Sequence, residues 1–235
     1  MAAMILSARG LTRHFGGLKA VDGVDFDLAQ GEIHAIIGPN GAGKTTFVSL
    51  LSGRIPVQSG SITFNGQDIT RLPAHARVAR GIAYTFQITA IYARLPVYDN
   101  VALAVQRQGS RALRRDTMAA LARVGLDDRA DQEAGTLAYG HQRLLEIAMG
   151  LALKPRLLIL DEPTQGLANS EIEGFKALVR SVVPDTTVLL IEHNMDVVMD
   201  LAQRITVLNF GRLLAQGTPA DIRANGAVQA AYLGG

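Results

Sequence analysis

Cysteine is missing from all 235 residues, which excludes disulfide frameworks, thiolate metal sites and cysteine nucleophiles at once. Long hydrophobic runs are missing too. A membrane-crossing helix needs about 20 apolar residues, and the longest clean run, Ile147 to Leu153, falls far short. Charge of one sign is scarce: 23 basic against 21 acidic side chains leave a formal +2. That surplus is too small for the phosphate footprint of a nucleic-acid binder, so no nucleic-acid partner is expected. The opening segment, Met1 to Arg13, lacks the basic start, the long apolar stretch and the small-residue cleavage site of a secretion signal. The expectation is a cytoplasmic protein that meets membranes only through partners.

What the chain has is alternation. Short apolar runs, Ile33–Ile37, Ile82–Thr85, Leu157–Leu160 and Val188–Ile191, are interleaved with helical stretches, which predicts an α/β fold with a largely parallel sheet. Ser61–Phe64 followed by Asn65-Gly66 signals a hairpin, and Asn209-Phe210-Gly211-Arg212 sits between Ile205–Leu208 and Leu213–Ala215 as a second one. Between about Ile88 and Leu153 strand alternation fades, and Val101–Gln108 and Leu113–Val124 read as amphipathic helices, with Gly125 at a helix C-cap. Ser170-Glu171-Ile172-Glu173 fits a capping box opening a helix toward Val182. The organisation expected is one domain: an α/β core of residues 1–87 and 154–235 carrying a helical insertion of about 88–153.

Gly38-Pro39-Asn40-Gly41-Ala42-Gly43-Lys44-Thr45 fits the phosphate-loop pattern G-x-x-x-x-G-K-[ST] at every fixed position, between a predicted strand and a predicted helix from about Lys44 to Leu51. With only four lysines in the chain, a chance match is rare. The glycines let successive N–H groups turn inward toward phosphate oxygens, and the following helix adds its positive N-terminal end. Lys44 would reach the β- and γ-phosphates; the Thr45 hydroxyl would coordinate Mg²⁺. Thr46 completes the candidate nucleotide-binding stretch.

Leu157-Leu158-Ile159-Leu160-Asp161-Glu162-Pro163 is an apolar strand ending in two carboxylates. Neighbouring strand residues point to opposite faces, so one acid can hold Mg²⁺ with its waters while the other polarises an attacking water. His193, after the Thr187–Glu192 strand, and Gln87, after Ile82–Phe86, lie at strand carboxyl ends, where ligands gather in α/β sheets.

Phosphate loop, Gln87, a signature-like segment at Leu137–Arg143, the Asp161-Glu162 strand and His193 follow in the order found in the ATPase subunits of ATP-binding-cassette (ABC) transporters, which the chain resembles over essentially its whole length. The resemblance implies a P-loop NTPase core, an antiparallel β part near the N-terminus and an inserted helical subdomain, with ATP and Mg²⁺ as ligands. It also assigns residues. Phe15 matches the aromatic that stacks on adenine. Gln87 matches the residue that senses Mg²⁺ and links the site to the helical subdomain. Asp161 matches the Mg²⁺-water ligand, Glu162 the general base, and His193 the γ-phosphate contact. The signature, with Tyr139 and Gly140, would close on the γ-phosphate from the opposite subunit.

Two positions depart from the family pattern. Its usual Leu-Ser-Gly-Gly-Gln is here Leu137-Ala138-Tyr139-Gly140-His141, so Ala138 offers no hydroxyl and contact falls to backbone N–H groups. The loop after the acid pair usually ends in aspartate, where this chain has Ala168 in Gly166-Leu167-Ala168-Asn169. Leu137–Arg143, Leu145-Glu146-Ile147-Ala148, the opening Phe15-Gly16-Gly17-Leu18-Lys19-Ala20-Val21 and the closing Ala231-Tyr232-Leu233-Gly234 are similar to the branch that serves branched-chain amino acid importers. Urea, amide and lipopolysaccharide systems use related subunits. The partners implied are integral-membrane permease subunits, a second ABC ATPase or another copy of the chain, and indirectly a periplasmic binding protein. The place implied is the cytoplasmic face of the membrane. A soluble ABC ATPase working on DNA or ribosomes would carry two cassettes or a coiled-coil insertion, and a GTPase would carry Asn-Lys-x-Asp; neither feature occurs.

Overall fold

A computed structural model describes residues 3–85, 90–183 and 185–233. Two sheets share the work. The first is antiparallel, with β1 (Met4–Phe15), β2 (Leu18–Ala29), β4 (Ser59–Phe64) and β5 (Gln67–Asp68) in the order β2-β1-β4-β5. The second has six strands in the order β10-β9-β3-β8-β7-β6, formed by β3 (Ile33–Ile37), β6 (Ile82–Thr85), β7 (Leu157–Asp161), β8 (Thr187–Ile191), β9 (Arg204–Asn209) and β10 (Arg212–Gly217). All its neighbours run parallel except the β9–β10 hairpin.

β3, β7 and β8 are buried at every residue, as unbroken apolar runs require when a parallel sheet is covered on both faces. Their side chains part by alternation. Ile159, Leu189 and Ile191 pack with Phe47 and Phe26 toward the antiparallel sheet, while Leu158, Leu160, Val188 and Leu190 pack with Phe175 and Leu145 on the opposite face.

The helices are α1 (Lys44–Ser52), α2 (Ala74–Val78), α3 (Val97–Arg107), α4 (Leu113–Ala122), α5 (Tyr139–Ala152), α6 (Asn169–Val182), α7 (Met195–Leu201), α8 (Pro219–Ala224) and α9 (Gly226–Leu233). Between β6 and β7 the described residues form helices and turns, with one isolated bridge, Pro96 to Glu133. None of the described helices is long and apolar enough to cross a membrane.

Both expected hairpins form, with two-residue turns at Asn65-Gly66 and Phe210-Gly211 whose residues all have positive φ. The cap expected at Ser170 is shifted. α6 begins after Ala168, whose N–H donates to Glu171 Oε2 at 2.7 Å, so Glu171 supplies the backward half of a cap and Ser170 lies inside the helix. β1 and β2 were not readable as strands from alternation. Each carries a glycine with positive φ, Gly10 and Gly23, where the pairing register shifts, and the bulge throws the inward-facing residues out of step.

Candidate nucleotide site

The strand order β3-β8-β7-β6 delivers four successive loops to one sheet edge. The loop after β3 is the glycine-rich turn, β8 leads to His193, β7 ends in Asp161, and β6 leads to Gln87, which lies outside the described residues. An open cleft of about 320 Å³ collects Leu18, Ala20, Asn40, Gly41, Ala42, Gly43, Lys44, Thr45, Thr46, Glu162 and His193. Gly38 and Pro39 hold this cleft from behind: Lys44 Nζ donates to their carbonyls at 2.7 and 3.0 Å. Burial pushes the Lys44 ammonium below its usual range, opposed by the nearby Glu162 and Asp161 carboxylates. The turn needs glycine at Gly43, where φ is +96° and a Cβ would collide with the Ala20 carbonyl. α1 starts at Lys44 with no side-chain cap, leaving its leading N–H groups facing the cleft for an anion.

Glu162 occupies the left-handed region at φ +49°. Its N–H donates to the Ile191 carbonyl at 2.8 Å, and its Oε1 meets His193 Nε2 at 2.8 Å. A non-glycine residue held there marks a place where surrounding contacts overrule backbone preference. Two buried charged residues supply those contacts. Arg143 of α5, 2% exposed, sends Nη2 to the carbonyls of Asp161 (3.2 Å) and Glu162 (2.8 Å) and Nη1 to Glu146 (3.1 Å). On the other side the buried Glu192 carboxylate accepts from Thr164 N–H and hydroxyl through Oε1, and from His193 N–H (2.6 Å) and Asn194 N–H (2.9 Å) through Oε2. One carboxylate thereby fixes both the loop after Glu162 and the loop carrying His193.

Asp161 is buried, and burial pushes its carboxyl up while the Tyr84 hydroxyl, donating to Oδ2 at 2.5 Å, works against that shift. Its Oδ1 is buried with no hydrogen-bond partner. An orphaned carboxylate oxygen beside a phosphate loop fits a divalent cation reached through water. Among the described residues no group of three or more His, Asp or Glu could hold a metal alone, so such an ion would be completed by phosphate oxygens and Thr45.

Phe15 ends β1 half-exposed beside the β1–β2 turn, with the Arg13 guanidinium 4.9 Å from its ring centroid, and is not among the cleft-lining residues. Tyr139 and Gly140 are likewise away from the cleft. They open α5 against the chain's own loop after the acid pair, where a Cβ on Gly166 would lie 2.8 Å from the Tyr139 ring. The sequence reading did not find Tyr84, Arg143, Glu146 or Glu192. Arg143 and Glu146 carried one legible signal, an i,i+3 charge pair on a helix, and Glu192 another, an acid abutting His193 at the end of an apolar run.

A glycine-rich phosphate cradle between strand and helix, with an acid pair two strands away on the same edge, defines a P-loop nucleotide-binding protein. A family model described as ABC transporter matches residues 21–165, and one described as branched-chain amino acid ATP-binding cassette transporter matches residues 212–235. The chain is 40% identical to the high-affinity branched-chain amino acid transport ATP-binding protein BraF of Pseudomonas aeruginosa, covering 100% of this chain and 99% of that one. It is 34% identical to the lipopolysaccharide export system ATP-binding protein LptB of Escherichia coli over 97% of both. Among solved structures, an ATP-binding cassette of an ABC transporter in its ADP conformation matches with a TM-score of 0.89 at 26% identity over 100% of both chains. The chain belongs to the ABC transporter family, as one of its ATP-binding ATPase subunits.

Proposed function

We propose that this ATPase drives an importer of branched-chain amino acids, seated on the cytoplasmic face of the membrane against integral-membrane permease subunits. The observation that carries this reading is the end-to-end similarity to branched-chain amino acid transport ATP-binding proteins, joined by the match of the C-terminal residues 212–235 to that branch. The lipopolysaccharide relative is similar over the same length but at lower identity. In this reading residues 1–235 form one ABC ATPase domain, with about 88–153 as its helical subdomain.

The chemistry follows from the cleft. The loop N–H groups and Lys44 hold the phosphates of ATP, Thr46 lies alongside, and Phe15 is offered to the adenine once Arg13 yields its ring. Mg²⁺, held by Thr45, by Asp161 through water and by Gln87, would neutralise charge on the β- and γ-phosphates. Glu162 takes the proton of the attacking water as its oxygen bonds to the γ-phosphorus and ADP leaves. His193 turns its Nε2 from Glu162 to a γ-phosphate oxygen, so the Glu162–His193 hydrogen bond must open for turnover. Tyr139 and Gly140, facing away from their own chain's cleft, close on the nucleotide of a second ABC ATPase subunit or of another copy. ATP-driven closure of that dimer shifts the permease between its two states, and hydrolysis resets it.

For the permease, an apolar groove of about 250 Å³ lies between Ala74 and Val78 of α2, Ala83 and Tyr84 of β6, Ala104 of α3, Met149 of α5 and Leu153 at the α5 C-cap. The family resemblance points to the helical stretch from Ile88 to about Asp99 as the permease groove. Of the described part of that stretch only Ala90 lines the groove, and helix begins at Val97.

Purification of the tagged chain from gently solubilised membranes tests the assignment. A polytopic permease pair with a second ATPase is expected; recovery alone, or with ribosomes or nucleic acid, would overturn it. Glu162→Gln should keep ATP binding and cut turnover by about 10²-fold or more; sustained hydrolysis would remove Glu162 from its role.

A further inference from the structure

We infer that Tyr84 is a positioning residue for the metal-side carboxylate and ties Asp161 to the wall of the apolar groove. The inference rests on the reading of Asp161 as the Mg²⁺-side acid. A carboxylate rotates about its last bond, and either oxygen can face a cation unless one is claimed. Here one is claimed: the Tyr84 hydroxyl donates to Oδ2 at 2.5 Å, and Oδ1 is left buried without a partner. Ligating carboxylates are oriented by such outer hydrogen bonds.

Tyr84 is itself held at two points by Arg54, whose Nη1 donates to the phenol oxygen at 2.9 Å and whose guanidinium stands 4.8 Å from the ring centroid. A phenol that accepts from a cation becomes a stronger donor to its next partner.

Arg54 and Tyr84 both line the groove, and so does Glu146. From Glu146 a second arm runs through Arg143 to the backbone carbonyls of Asp161 and Glu162, with contacts of 3.1, 3.2 and 2.8 Å. The groove wall thus reaches the acid pair twice, once at the Asp161 side chain and once at the Asp161-Glu162 backbone. An occupant that moves Arg54 or Glu146 would change how Asp161 and Glu162 are presented.

A merely structural tyrosine would, on losing its hydroxyl, lower thermal stability and every nucleotide affinity together. A positioning tyrosine changes the metal dependence alone. The test uses the full chain, a fluorescent ATP analogue and Mg²⁺ titrated from a chelator-treated baseline, with Mn²⁺ binding followed by electron paramagnetic resonance. In Tyr84→Phe the metal-free affinity should stay within about twofold, while the Mg²⁺ concentration for half-maximal effect rises about tenfold and Mn²⁺ affinity falls in step. Arg54→Gln, which keeps the hydroxyl, should give a smaller rise in the same direction, about threefold, and carries the test if Tyr84→Phe does not fold. An unchanged Mg²⁺ midpoint, or a parallel loss of metal-free affinity, overturns the inference. If the wild type binds the analogue with no response to Mg²⁺, the reading of Asp161 falls first and the inference with it.

Discussion

Two of the helix starts without a side-chain cap, those of α1 and α5, stand in contrasting surroundings. α1 opens inside a cleft whose other groups are already wired within the chain. Lys44 rests on the Gly38 and Pro39 carbonyls, Glu162 on His193, and Glu192 on four donors. α5 opens at Ala138 beside a 44%-exposed Tyr139, and neither residue lines that cleft. The first arrangement is a half-site preorganised to hold phosphate with little reorganisation. The second faces the chain's own Glu171, whose carboxylate lies 2.5 Å from where a Cβ on Gly140 would stand. In the function proposed above the site is split between subunits: each chain would build one wall rigidly and lend the other, open wall to its partner.

The sharpest way to break the contrast is to empty the rigid wall. Lys44→Ala removes the one cation in the phosphate cradle and should reduce ATP turnover at least about a hundredfold, the scale of losing one preorganised charge-stabilising donor. Phosphate release assays read it, and residual turnover near wild type would mean that the cradle is not the working site.

Next in size is the buried brace. Glu192→Ala leaves four donors without their acceptor, two of them on buried Thr164, and should cost about 3 kcal/mol. For a chain of this length that is a fall of about 6–12 °C in melting temperature. Because Glu192 holds both the Thr164 and the His193 loops, turnover should fall further than nucleotide affinity. Equal losses in both would make the brace purely structural.

A pH dependence follows from the strand that enters the cradle. His34 of β3 is fully buried, with Nε2 2.7 Å from Thr206 Oγ1 and Nδ1 3.1 Å from Glu32. Burial holds its pKa below the ordinary 6.5 and outweighs the opposing pull of Glu32. The unfolded chain therefore takes up this proton at higher pH than the folded one. The neutral imidazole's contribution is complete above about pH 6.5 and is lost as pH falls from there through the folded value. Melting curves at about pH 7.5 and about pH 5.5 should show a larger drop for the wild type than for His34→Gln. An equal drop would place the acid sensitivity elsewhere.

How far these features could be read in the sequence depends on the range of the interaction behind them. Ile33–Ile37 and Leu157–Leu160 are continuous apolar runs, the phosphate loop is a contiguous pattern, and both hairpin turns are two-residue signals, so each was legible. β1 and β2 were not, because Gly10 and Gly23 shift the register within each strand. Tyr84, Arg143 and Glu192 were not legible as a group either. A buried polar residue shows its worth only through a partner 77, 18 or 28 positions away. The Ser170 cap failed for a local reason, since Glu171 satisfies Ala168 from the same turn.

The open wall should be easier to improve than to damage. Ala138 stands at the N-cap of α5 with φ −55° and ψ 149°, extended backbone in which a serine hydroxyl can turn back to an N–H of the first turn. Ala138→Ser should therefore stabilise the chain by about 1 kcal/mol, or about 2–4 °C in melting temperature. Nucleotide affinity of the isolated chain should not change, because Ala138 does not line its cleft. In an assembled dimer the same hydroxyl would be offered to the other subunit's γ-phosphate, and turnover should rise severalfold. The two readouts separate the roles: a higher melting temperature without faster turnover would mean that the backbone N–H groups around Gly140 already suffice for closure.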